Sequence, residues 1–119
     1  MLSVGIDLVE IDRIRRSLQS PRFLTFVYGA EERAELCARG MPPQSLAAAF
    51  AAKEAFGKAL STGVAGFYLR EVQLLHRDNG APYLYLCGKA LHISEERRLQ
   101  FTVSVSHTKR YATAVVVAF

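Results

Sequence analysis

With 119 residues, half of them hydrophobic and 22% charged, the chain is apolar enough for one packed domain and too apolar to remain disordered. Fifteen Lys and Arg against 11 Asp and Glu give a net charge of +4, which suits an acidic partner: a phosphorylated ligand, a nucleic acid or an acidic protein. No apolar run reaches the ~20 residues of a membrane span, and Met1-Leu2-Ser3-Val4-Gly5-Ile6-Asp7 lacks the basic and long apolar segments of a signal peptide. Cys37 and Cys87 are isolated, without the spacing of a zinc site or a disulfide framework, so a reduced, cytoplasmic setting is expected.

Residues 2–8 alternate, with Leu2, Val4, Ile6 and Leu8 on one side and Ser3, Gly5 and Asp7 on the other. This predicts a strand whose apolar side is buried. Asp7 then lies among small residues, where a backbone or a ligand could come close; a carboxylate facing water at a strand edge is the equal alternative. Ile11, Ile14 and Leu18 predict a helix over residues 10–19, with Arg13 and Arg16 outward, Arg15 on the flank and Arg22 just beyond Pro21. Such a basic face is either simply solvated or docks an acidic partner.

Residues 22–28 read as a further helical turn exposing Phe23 and Phe26, and residues 30–39 as a helix opened by Glu31 and Glu32. A loop over 40–44 leads to the central helix, with Ser45 as its N-cap and Gly63 suited to the left-handed position after it. The second half changes period. Strands are expected over 71–77 and 82–86 around an Asp78-Asn79-Gly80 hairpin turn, Tyr83 and Tyr85 sharing a face. A charged helix over 89–98 follows, then strands over 100–106 and 111–119 joined by Thr108-Lys109-Arg110. The expected fold is α+β, a single domain over 1–119: an antiparallel sheet with a long central helix and helices inserted after the first strand.

The central helix carries the chemistry. From Leu46 to Leu60 it is mostly alanine, phenylalanine and leucine, yet it holds Lys53, Glu54 and Lys58. A helix apolar nearly all round is normally buried, and charges are rarely buried without partners. Glu54 and Lys58, one turn apart, could be an ordinary surface ion pair, but in this apolar setting a polar cleft is the better reading. Gly63-Val64-Ala65-Gly66 lacks the pattern of a phosphate loop and reads as a connection. His76 and His92 have no distinguishing context, whereas His107 closes a strand just before a basic turn, where sites gather. Two separated carboxylates, Asp7 and Glu54, with a lysine beside them suit Mg²⁺, which takes few protein ligands and shares phosphate oxygens.

Gly5-Ile6-Asp7-Leu8-Val9-Glu10-Ile11, then Phe50-Ala51-Ala52-Lys53-Glu54-Ala55 with Lys58-Ala59-Leu60, and finally Ser104-Val105-Ser106-His107-Thr108 occur in that order. Together with Asn79-Gly80-Ala81-Pro82 they resemble the signature blocks of holo-[acyl-carrier-protein] synthase, the AcpS-type 4′-phosphopantetheinyl transferases, across essentially the whole chain. The resemblance implies transfer of phosphopantetheine from coenzyme A to a serine of apo acyl carrier protein, releasing adenosine 3′,5′-bisphosphate, in lipid (fatty acid) biosynthesis. It implies Asp7 and Glu54 as Mg²⁺ ligands, Lys58 at the coenzyme A diphosphate, and His107 and Thr108 near the nucleotide. It further implies Arg13 and Arg22 as grips on the acidic carrier protein, and a homotrimer with active sites at subunit boundaries. The serine must lose its proton to a carboxylate or to solvent held at the metal, and the residues leave both open. One departure stands out: the family pattern has arginine just before the Phe of the second block, where this chain has Ala49. Lys109 and Arg110 are the candidate replacements, by proximity in sequence.

Two other classes remain. A non-catalytic module would bind coenzyme A or carrier protein without Mg²⁺-dependent transfer. A basic nucleic-acid-binding domain would bind random DNA with steep salt dependence, but it lacks a recognisable motif here, so neither nucleic acid nor membrane is an expected partner.

Overall fold

In the computed structural model, which describes residues 2–119, the central helix α4 spans Pro43–Ala59 and is buried along most of its length. Its alanines explain the burial. Ala47, Ala51, Ala52 and Ala55 have no accessible surface, and such short side chains let the helix axis lie close to a sheet. That sheet is antiparallel, with strand order β1-β5-β4, where β1 is Ser3–Glu10, β4 is Phe101–His107 and β5 is Tyr111–Ala118. The middle strand offers small residues as well, Ala112, Ala114, Val116 and Ala118, all turned onto α4. In register, Asp7 faces Ala114 on β5, and Val9 and His107 flank Ala112 from either side.

Helices α1 (Ile11–Ser17), α2 (Pro21–Val27) and α3 (Ala30–Ala38) are inserted between β1 and α4, as the sequence predicts. The antiparallel strands divide into two sheets rather than one. β2 (Val72–His76) and β3 (Pro82–Leu86) form a separate hairpin, followed by α5 (Gly88–Glu96). Its turn follows the expected chemistry: Gly80 takes φ +90° and Ala81 N–H donates to Asn79 Oδ1 at 3.0 Å. Phe56 of α4 meets Phe67 edge-on, ring centroids 5.1 Å apart, and Phe101 at 4.7 Å, which ties the end of the helix to a second apolar cluster around Val72 and Ala90.

Two local expectations are corrected, and that of a left-handed Gly63 holds with Ser61 added to it. Helix α4 begins two residues before Ser45, with extended Pro42 as N-cap and Pro43 in the first turn, where a missing N–H costs nothing. Ser61, at φ +65°, takes a left-handed position ahead of Gly63, which adopts one too. Most consequentially, the two faces of β1 are exchanged. Leu2, Val4, Ile6 and Leu8 are 59–75% exposed, whereas Gly5 and Val9 are buried with Asp7 on the α4 side. Alternation identifies a strand but not which side meets the helix, and an alanine-rich helix selects the side with the smaller residues.

Candidate active site

Close approach of β1 to α4 builds the site, and Gly5 makes that approach possible. A Cβ at residue 5 would lie 2.6 Å from the Ala59 backbone nitrogen and closer still to the Ala55 carbonyl oxygen. Two residues on, on the same face, Asp7 is thereby held against the helix. Lys58 reaches back from α4: its Nζ donates to Ile6 O at 2.9 Å and lies 3.2 Å from Asp7 Oδ1. The ordinary Glu54–Lys58 ion pair, the alternative to a polar cleft, does not form. Lys58 makes its salt bridge to Asp7, and among the described residues Glu54 makes none.

Glu54 is half-buried one turn earlier on α4, near enough to Asp7 for their charges to repel. Burial first, and then the Asp7 carboxylate, raises the proton affinity of Glu54 above that of an ordinary glutamate; Lys58 and Arg13 partly offset this. Arg13 stands over the Phe50 ring, its guanidinium carbon 5.5 Å from the centroid, so it borders this site as well as facing solvent. Two like-charged carboxylates and a lysine therefore converge at the β1–α4 seam. No third Asp, Glu, His or Cys joins them as a complete metal cage among the described residues. An oxygen-only pair with its remaining positions left to solvent or phosphate fits Mg²⁺ better than zinc.

Lys53, the third charge of the helix, does not enter this site. It points to the opposite side, fully buried, and pairs with Glu32 of α3 at 2.6 Å. The sequence places Glu32 at a helix N-terminus, and its carboxylate does accept from Gly29 N–H at 3.1 Å, but nothing in the sequence links it to Lys53.

His107 and Thr108 lie elsewhere on the sheet. With β5 between β4 and β1, His107 stands about 10 Å from the β1 backbone, two strand spacings away. The Thr108 hydroxyl accepts from Arg110 N–H at 3.3 Å and Tyr111 N–H at 3.1 Å, so it shapes the turn. His107 links two depressions. One is shared with Thr108, Lys109, Gln44 and Arg15. The other, a cavity of about 170 Å³, places His107 beside Ala49, Arg39, and a Glu35–His76 pair whose Oε2 and Nδ1 are 2.9 Å apart. Sequence reasoning missed Arg39 and treated His76 as bland. Arg39 is brought in by the end of α3, where Gly40 and Met41 take φ +84° and +55° and Met41 N–H returns to Leu36 O at 2.9 Å. A glycine after a helix was the available signal. Ala49 is buried in the cavity wall with Arg39 in the same lining, whereas Lys109 lines the other depression and Arg110 lines neither. Arg22 lines a third, shallow groove with Phe23 and Phe26.

Residues 3–116 match the sequence profile of the 4′-phosphopantetheinyl transferase superfamily. The chain belongs to that family. Its relatives include the holo-[acyl-carrier-protein] synthase of Alkaliphilus metalliredigens, 38% identical over 117 residues, covering 97% of this chain and 96% of the relative. That of Chlamydia trachomatis serovar L2 is 41% identical over 120 residues, with 99% of both chains covered. Among solved structures, the Neisseria meningitidis holo-[acyl-carrier-protein] synthase superposes with a TM-score of 0.91 at 30% identity, over 98% of this chain and 97% of that one. The Helicobacter pylori enzyme, solved in complex with coenzyme A, gives 0.83 at 28% identity, over 98% and 99%. The expected α+β transferase fold and the expected enzyme class, holo-[acyl-carrier-protein] synthase, both stand. No helix of the described residues is long and apolar enough to cross a membrane.

Proposed function

We propose that residues 1–119 act as one domain that moves 4′-phosphopantetheine from coenzyme A to a serine of apo acyl carrier protein, with Mg²⁺, releasing adenosine 3′,5′-bisphosphate. The observation that carries this reading is the convergence of Asp7, Glu54 and Lys58 at the β1–α4 seam. Asp7 and Glu54 are the residues that would hold Mg²⁺, which when bound supplies Lewis-acid stabilisation of a diphosphate. Lys58 has a half-exposed side chain, and its third N–H can reach a phosphate oxygen while Ile6 O and Asp7 hold the other two. Held so, the ammonium meets the charge that develops on the leaving phosphate without reorganising. The Arg39–His107 cavity and the groove of His107, Thr108 and Lys109 provide cationic walls for a nucleotide phosphate, in place of the arginine absent at position 49.

Arg13 and Arg22 present charge, and Phe26 an exposed ring, on the side from which an acidic carrier protein would approach. Arg13→Glu is expected to weaken carrier-protein binding about tenfold or more and coenzyme A binding little, as read by calorimetry with each ligand. Equal carrier-protein affinity in both forms would remove Arg13 from the docking surface.

The outer face of the larger sheet, Leu2, Val4, Ile6 and Leu8 backed by Val115 and Val117, is an apolar surface of the kind that subunits cover. It supports a subunit contact, and we read the enzyme as a homotrimer working in the cytoplasm in fatty acid biosynthesis. Ile6→Lys is expected to convert the oligomer to monomers in light scattering; an unchanged mass would place the subunit contact elsewhere.

Mass spectrometry of apo acyl carrier protein incubated with this chain, Mg²⁺ and coenzyme A tests the reaction. A gain of one phosphopantetheine is expected. Coenzyme A binding with no gain at any Mg²⁺ concentration would favour a binding module instead.

A further inference from the structure

The face of α4 turned to the larger sheet is nearly all alanine, and it packs on a strand that is itself largely alanine. Helices find their rotation and axial position by fitting side-chain ridges into grooves. Alanine against alanine permits close approach but offers little relief, so this face by itself fixes the rotation of α4 on β1 weakly; Phe50 and Phe56 anchor other sides of the helix, but through apolar contacts that carry little direction. The seam tolerates no such freedom if Asp7 and Glu54, one on each element, must share an ion.

Directional contacts pin the helix instead. Near its start the Tyr28 hydroxyl donates to Leu46 O at 2.7 Å, and at its end the Ser3 hydroxyl donates to Ala59 O at 2.7 Å. The middle pin is Lys53, the residue next to Glu54. Its Nζ donates to Glu32 Oε1 at 2.6 Å and to Val72 O, and both ionic side chains are fully buried. Glu32 is fixed in turn. Its Oε2 accepts from Leu74 N–H at 2.9 Å, its Oε1 from Gly29 N–H at 3.1 Å, and its own N–H donates to Gln73 Oε1 at 2.9 Å. This one network joins α3, β2 and α4. A buried ion pair contributes little net stability over apolar residues of the same shape, and its best attested use is to fix register.

The geometry points to Lys53 and Glu32 as positioning residues: their buried pair sets the rotation of α4 that brings Glu54 opposite Asp7. This rests on the reading of Asp7 and Glu54 as the metal ligands. Neither residue touches substrate; both act through Glu54.

The test uses Mn²⁺ as probe, titrated into the protein with coenzyme A and followed by electron paramagnetic resonance, far below the melting temperature. Lys53→Met with Glu32→Gln removes both charges together and is expected to weaken Mn²⁺ binding by about tenfold or more, the usual effect of losing an outer-shell support. Glu32→Asp, which keeps both charges but shortens the tether, is expected to weaken it too and serves if the double variant folds poorly. Leu91→Gly, at an exposed position of α5, lowers stability through helix propensity, belongs to neither the ion-pair network nor the seam, and is expected to leave Mn²⁺ affinity unchanged. Native affinity in the double variant and in Glu32→Asp would overturn the positioning role, as would an equal loss in Leu91→Gly. Glu54→Gln in the same titration separates the two readings, because native Mn²⁺ affinity there overturns the metal site itself.

Discussion

Glu54→Gln is expected to lower the rate of phosphopantetheine transfer by at least about 10²-fold while the protein folds as before. The amide keeps the shape of the side chain and removes one of the two anionic oxygen donors at the β1–α4 seam. The site is under electrostatic tension in the metal-free protein, since burial and the Asp7 carboxylate together disfavour a charged Glu54. A neutral side chain relieves that repulsion, so the melting temperature without metal is expected to hold or rise. Transfer rates by mass spectrometry and melting by circular dichroism read the two effects separately. Loss of activity together with a large drop in melting temperature would mean that Glu54 holds the fold, and undiminished transfer would remove it from the site.

Gly5→Ala is expected to destabilise the protein by about 1–3 kcal/mol or more, although it adds a single methyl group. The added carbon meets the backbone of a buried helix, 2.6 Å from Ala59 N, and backbone at Ala55 and Ala59 cannot step aside as a flexible side chain would. Either β1 lifts from α4 or the strand bends, and both move Asp7 from Glu54 and Lys58. The variant should therefore unfold at lower urea concentration and also bind Mn²⁺ less tightly when folded. Native stability would mean that the β1–α4 spacing is not set by this contact.

The strands, the helices and the Asp7, Glu54 and Lys58 set were legible in the sequence because each rests on a local pattern: alternation, helical spacing, or a block of adjacent residues resembling a known family. What the sequence did not reveal depends on pairing at long range. Alternation in residues 2–8 is the same whichever side is buried, and only the alanine surface of α4 decides that Gly5, Asp7 and Val9 turn inward. The partner of Lys58 proved to be Asp7, 51 residues away, rather than Glu54 one turn back, because the β1 edge lies nearer than the helix's own carboxylate. Lys53 and Glu32 stand 21 residues apart in segments of different period, each with an ordinary local explanation, and only folding makes them one buried pair. Arg39 enters the cavity beside His107 through two left-handed residues after α3, a turn whose direction no periodicity encodes.

The proposed transfer depends on one divalent ion shared by the strand and the helix. An anomalous difference map from crystals grown with Mn²⁺ and coenzyme A, recorded at the manganese edge, tests this most directly. It is expected to contain a peak within coordination distance of both the Asp7 and Glu54 carboxylates, with Lys58 beside the diphosphate. A map with coenzyme A in place but no manganese between those carboxylates, or manganese held by only one of them, would contradict it.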